Sequence, residues 1–171
     1  MIGDFSDSEI FWMLENDRTL KGTVFNVLNI KKFFEILKEI CRENDSILKR
    51  KIFNFVHCDP SKENIFILKD KSVKLIDWDF AGYHIFERDL ALFIECYNLN
   101  EKQELLFLKA YGIKSDNNFM KKLNILKLIL YAGDIAWLLS ERKNSGKKIK
   151  KILNKCFKII KRLEIEEKLE K

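Results

Sequence analysis

One proline, six glycines and three methionines in 171 residues leave little material for a loop-rich, collagen-like or low-complexity chain. The four cysteines, Cys41, Cys58, Cys96 and Cys156, form no CxxC pair and sit far apart. That spacing argues against a zinc site or a disulfide framework and fits reduced thiols in a cytosol. No apolar run exceeds five residues, as at Leu90 to Ile94 and Leu128 to Ala132, and on that count no membrane-spanning helix is expected. Met1-Ile2-Gly3-Asp4 lacks the basic and apolar regions of a signal peptide, which also points to the cytoplasm.

What is present suits a folded core. Hydrophobic residues make up 47% and charged residues 34%, with 14 phenylalanines to pack. The length fits one domain, 1–171, and no repeat or linker divides it. The net charge of +6 is concentrated: residues 140–171 hold 12 Lys or Arg against 5 Asp or Glu, so the rest of the chain is close to neutral. Within that segment Ile149, Ile152, Leu153, Cys156, Ile160 and Leu163 share a helical stripe and lysines fill the other side. This reads as a packed amphipathic helix with a solvated basic face. An anionic partner, RNA or a membrane surface, is the rival reading. Phe157 alone interrupts the lysines, so a nucleic-acid stacking pattern is lacking.

Along the chain, Phe11, Trp12 and Leu14 form a first apolar cluster, with Trp12 read as core. Asn26 or Asn29 caps a helix to about Asn44, with Ile30, Phe33, Phe34, Leu37, Ile40 and Cys41 at helical spacing. The period then changes. Ile52 to Val56, Ile65 to Leu68 and Val73 to Ile76 read as strands, the last two joined by the Lys69–Ser72 turn. Helices return at about 88–97, 101–111, 117–142 and 147–169, with Gly112 and Gly146 as stops. The class is α+β, mainly helical, around a small β-hairpin.

Polar residues of catalytic type gather at that hairpin. His57-Cys58-Asp59-Pro60-Ser61-Lys62-Glu63-Asn64 precedes one of its strands, and Asp77-Trp78-Asp79 follows the other. A hairpin brings those ends together, so Asn64 falls near Asp77 with Asp59 one short loop away. Oxygen ligands on adjacent loops suit Mg²⁺. The spacing H-x-D-x-x-x-x-N, with an Asp 13 residues after the Asn, is that of a kinase catalytic loop and its metal-binding Asp. His84 reads as an exposed loop residue.

The stretch from His57 to Leu92 resembles the aminoglycoside phosphotransferase and choline kinase superfamily. Its motifs are matched by His57-Cys58-Asp59 to Asn64, by Ile76-Asp77-Trp78-Asp79-Phe80-Ala81-Gly82 and by Asp89-Leu90-Ala91. Bacterial choline kinases look nearest, through Glu63-Asn64, Ile76 to Gly82 and Asp134-Ile135-Ala136-Trp137. Cys58 replaces the usual Gly or Asn, and Pro60 stands where Leu is common.

By this resemblance the fold is a protein-kinase-like C-terminal lobe, with ATP as co-substrate and Mg²⁺ as cofactor. Asp59 is the catalytic base, Asn64 and Asp77 are metal ligands, and Asp79 assists the metal. His57 and Asp89 brace the loop. Trp137 and Asp134 bind a small alcohol, choline or ethanolamine favoured, although Trp137 also reads as a core aromatic. A Gly-rich phosphate loop and a Lys-bearing strand are not found before His57, so the nucleotide-binding lobe is expected to be missing or supplied by a separate chain. A silent, truncated binding module and an aminoglycoside- or homoserine-kinase lobe are the alternatives.

Overall fold

A computed structural model of the chain describes residues 24–48, 53–140 and 145–169. The Phe11, Trp12 and Leu14 cluster lies outside them, as does Ile52. The order is α1 (Val24–Glu43), α2 (Asp45–Leu48), β1 (Asn54–Val56), a 3-10 turn (Lys62–Asn64), β2 (Ile65–Ile67), β3 (Val73–Leu75), β4 (Gly82–His84), α3 (Glu87–Cys96), α4 (Glu101–Ala110), α5 (Asn117–Ser140) and α6 (Gly146–Leu169). Among the described residues the protein is mainly helical, with two small antiparallel sheets. It divides into two compact units, 1–43 with 128–171 and 44–127.

In the first unit α1 packs on α6. Ile30, Phe33 and Leu37 from α1 are buried, and Ile149, Leu153, Cys156, Ile160 and Leu163 are the buried stripe of α6. The spacing of both stripes follows the 3.6-residue period, so each helix hides one face. The second half of α5 contributes Tyr131, Ile135, Ala136, Leu138 and Leu139 to the buried residues. Ser145 donates its hydroxyl to the Leu138 carbonyl at 3.2 Å and fastens the end of one helix to the start of the next.

Three sequence expectations are corrected in this unit. Helix α1 begins at Val24, so Asn26 and Asn29 lie inside it and not at the N-cap position. Gly146 opens α6 and does not stop a helix. The run-length count also missed α5, which is long and apolar enough by length and composition to cross a membrane. Its apolar residues are interrupted at Lys121-Lys122, Asn124, Lys127 and Gly133-Asp134, so no long run forms. Of its most apolar stretch 67% is buried, as in the core helix of a folded domain.

The second unit holds both sheets, α3, α4 and the start of α5. Asn100 caps α4 through a reciprocal box with Gln103, at 3.0 Å each way. Gly112 follows with φ +85, the left-handed stop expected of it. Phe93 of α3 stacks on Phe107 of α4 at 4.5 Å. Two buried ion pairs then tie α5 to these helices: Lys122 to Glu87 of α3 at 3.3 Å, and Lys127 to Glu104 of α4 at 2.7 Å.

The hairpin forms as expected, with Ile65 opposite Leu75 and Ile67 opposite Val73. Its turn is closed by Asp70, whose carboxylate accepts from the Ser72 amide and hydroxyl and is thereby held below the usual carboxylate range. Strand β4 was not anticipated. It pairs with β1, Phe55 opposite Tyr83 and Val56 opposite Gly82.

Candidate functional site

Two ladders suspend two loops. The first loop, 57–64, leaves β1 and enters β2. The second, 76–81, leaves β3 and enters β4. Because β1 pairs with β4 and β2 with β3, both loops are anchored at each end to the same small framework. The Ile76 amide donates to the Asn64 carbonyl at 3.0 Å, one step beyond the β2–β3 ladder, so Asp77 follows directly on the residue paired with Asn64.

Asp59 and Asn64 are joined. The buried Asn64 side chain donates from Nδ2 to the Asp59 carboxylate at 2.9 Å and to the Asp59 carbonyl at 3.1 Å. Spending Nδ2 on Asp59 leaves Oδ1 as the Asn64 atom able to ligate a cation. His57 links the two loops: its Nε2 lies 2.8 Å from the Ile76 carbonyl, and its Nδ1 accepts from the Asp59 amide at 3.3 Å. Those roles fix one neutral tautomer, with the proton on Nε2. The ring also rests against Trp78 at 4.6 Å, and Trp78 stacks on Phe55.

Asp89 latches the first loop. Its carboxylate accepts from the His57 amide at 2.8 Å and from the Cys58 amide at 3.0 and 3.2 Å. Arg88 completes the clamp by donating to the Cys58 carbonyl at 3.2 Å. Sequence reasoning missed Arg88, although its place beside Asp89 was a usable signal. The clamp has a local task, because Cys58 adopts φ 66 and Asp77 φ 60, both left-handed. An L-residue with a Cβ pays roughly 1–2 kcal/mol there, and such strain persists only where the surroundings over-determine it. Gly or Asn suits that conformation better than Cys, which gives a physical meaning to the residue types usual at position 58.

Asp89→Ala is expected to lower stability by about 2–4 kcal/mol, since two partly buried amides lose a charged acceptor. Asp89→Asn should lose less, because one acceptor oxygen remains. Denaturant unfolding reads both, and a loss below about 0.5 kcal/mol for the alanine would contradict the latch.

The metal-ligand candidates differ in setting. Asn64 is buried, while Asp77 and Asp79 are exposed. Among the described residues no group of three His, Cys, Asp or Glu is arranged as a cage for a metal. An amide oxygen and one or two carboxylates fit Mg²⁺, which keeps several waters and takes phosphate oxygens as its remaining ligands. They do not fit a tightly held resident ion.

Trp137 and Asp134 lie on α5 in the other unit, three residues apart and therefore on one helix face. Trp137 is 61% exposed, so it is not the core aromatic of the rival reading. His84 is half-buried at the end of β4, not an exposed loop residue, and the Ile85 amide donates to its Nδ1 at 2.9 Å. Burial, then the Arg88 charge, pushes its pKa below the ordinary histidine value. The unfolded chain therefore takes up a proton at His84 before the folded one does. Stability from this residue is whole above about pH 6.5 and is lost as pH falls from there through the lower folded value. Thermal unfolding across that window should show the loss, and His84→Gln should flatten it.

All four cysteines are free thiols. Burial raises the pKa of Cys58 and of Cys41. Neither is an activated nucleophile.

No family model matches the chain. Over 83 residues it is 41% identical to a protein named LicA homolog from Metamycoplasma hominis, which takes in 48% of this chain and 32% of that protein. The crystal structure of LicA in complex with AMP superposes with a TM-score of 0.49 at 18% identity, over 75% of this chain and 53% of that one. The match to the Metamycoplasma hominis protein spans about a third of that protein's length. The chain is thus related to a LicA-type protein over about half of its own length.

Proposed function

We propose that this chain carries the catalytic and metal loops of a kinase-like phosphotransferase, which moves the terminal phosphate of ATP to the hydroxyl of a small metabolite. Choline or ethanolamine is the favoured acceptor. The observation that carries the reading is the union of Asp59 and Asn64 on one loop, joined through His57 and Ile76 to the loop that bears Asp77. The relationship to a LicA-type protein supports it.

In this reading Asp59 accepts the proton of the attacking hydroxyl on its carboxylate. Asn64 holds that carboxylate in place through Nδ2. Asn64 Oδ1 and Asp77 hold Mg²⁺, with Asp79 assisting from the same loop. When bound, Mg²⁺ neutralises the charge that gathers on the transferring phosphate. His57 and Asp89 keep the loop backbone fixed, so Asp59 need not reorganise as the reaction proceeds. Trp137 offers the aromatic face that a quaternary ammonium prefers, and Asp134 lies on the same helix face.

Full activity needs a further polypeptide lobe in this account, from a separate chain or from sequence beyond this one, and this chain alone transfers phosphate at a residual rate. The exposed apolar surface of the β element supports that part. Phe53, Phe55, Phe66, Ile67, Val73 and Tyr83 are each 48% exposed or more, a concentration that folded proteins usually cover.

The test is a panel of hydroxyl compounds incubated with radiolabelled ATP and the chain. Magnesium-dependent labelling of choline or ethanolamine, abolished by chelation, is expected. Labelling of an aminoglycoside or homoserine in preference would move the acceptor, and no labelling of any hydroxyl would remove the enzymatic reading for this chain. The silent-module alternative draws on the strained backbone at Cys58, directly before the base. It predicts metabolite binding without binding of magnesium and ATP.

A further inference from the structure

Helix α6 spends its apolar stripe on its own unit, and along 146–163, before Glu164, Glu166 and Glu167, its opposite face is left with one kind of charge. Lys147, Lys148, Lys150, Lys151, Lys158 and Lys161 are all exposed, and no acidic residue occurs from Gly146 to Leu163. At 100° per residue these six side chains fall within an arc of about 160° and extend along about 21 Å of helix. Lys155 stands at the edge of the arc, over the Tyr131 ring at 5.3 Å. The neighbouring α1 does not offset the charge, since residues 31–43 hold four basic and three acidic side chains.

The placement also works against the helix that bears it. The first turn of α6 has no acidic residue and begins Gly146-Lys147-Lys148. Cations there oppose the positive end of the helix dipole, a cost of roughly 0.3–1 kcal/mol each at an exposed site. A merely solvated face would lose nothing by carrying glutamates in that turn.

We propose that this face of α6 docks on an anionic lipid surface. The apolar stripe is buried against the helix's own unit and is not available for insertion, so the association is electrostatic and peripheral. A lipid surface is favoured over nucleic acid by the composition of the face. It is mostly lysine, with Arg162 and Asn154 as its other exposed polar side chains and no exposed aromatic ring for stacking. Two groups of flexible point charges on one broad face, Lys147 to Lys151 and Lys158 to Lys161, match a plane of diffuse negative charge, where each lysine near the surface contributes roughly fivefold in affinity. The inference is independent of the phosphotransfer reading.

The full chain is mixed with vesicles of phosphatidylcholine containing about 30% phosphatidylserine, and with phosphatidylcholine alone, then sedimented. Binding to the mixed vesicles only, with release at about 0.5 M salt, is expected. The variant Lys147→Gln/Lys148→Gln/Lys151→Gln/Lys158→Gln should bind at least tenfold more weakly with an unchanged circular dichroism spectrum. In Lys147→Glu/Lys148→Glu, binding should weaken while the Tm rises by about 2–4 °C. Equal binding to both vesicle types, wild-type binding by the quadruple variant, or tighter binding to an RNA duplex than to the mixed vesicles would overturn the proposal. An unchanged or lower Tm in the double variant would do the same, because the face would then be an ordinary solvated one.

Discussion

Asp59→Asn is expected to reduce phosphate transfer by about 10²–10⁴-fold, the usual contribution of a positioned general base. The substitution keeps the shape of the side chain and one acceptor oxygen, which takes the place of Oδ2 after a half-turn of the amide, so the 2.9 Å bond from Asn64 Nδ2 can persist. The backbone bonds from Asp59 N to His57 and from Asn64 to the Asp59 carbonyl do not involve the carboxylate at all. Stability should therefore fall by less than about 1 kcal/mol while the reaction is lost. Equal rates in the two proteins would show that the carboxylate is not the base. A matching collapse of stability would show that the residue serves the fold.

The second large effect concerns the core. Lys127 and Glu104 meet at 2.7 Å with side chains 5% and 10% exposed. Lys127→Met removes one charge and strands the other out of water, at an expected cost of about 3–5 kcal/mol. That is a large share of the 5–15 kcal/mol by which a domain is ordinarily stable, and the Tm should fall by about 10 °C. The pair variant Glu104→Leu/Lys127→Met should recover most of the loss, because two apolar side chains of similar volume leave nothing buried and unpaired. A single substitution costing less than about 1 kcal/mol would mean that water reaches the pair.

These two residues also show where the sequence stopped being legible. Lys121, Lys122 and Lys127 in the first half of 117–142 look like solvated positions, and periodicity alone cannot mark Lys122 and Lys127 as interior. Their partners lie on α3 and α4, so the signal exists only after the helices pack. Strand β4 failed for a related reason. Gly82-Tyr83-His84 has little strand character of its own and becomes a strand by pairing with β1. The reading of Gly146 failed because glycine, commonest just past a helix end, also occurs at a helix start, and composition does not separate the two cases at one position.

The loops were legible because their constraints are local. Asp59 and Asn64 are five residues apart on one loop, and a hairpin of short strands brings Asn64 to Ile76 whatever the rest of the fold does. Asp89 was legible only by resemblance, since it reaches back across 32 residues to His57. Trp137 and Asp134 were named on the same ground, and what the structure adds is their shared helix face and the exposure of the indole.

The account rests on Asn64, Asp77 and Asp59 forming one centre for a metal and its phosphates. Paramagnetic Mn²⁺, replacing Mg²⁺ and added with ATP to the isotope-labelled chain, tests this without requiring turnover. Amide signals of Asp59, Asn64 and Asp77 are predicted to broaden first, and to recover when Mg²⁺ is added in excess. Broadening that needs no ATP and spreads evenly over the exposed acids, or that leaves Asn64 untouched, would contradict it.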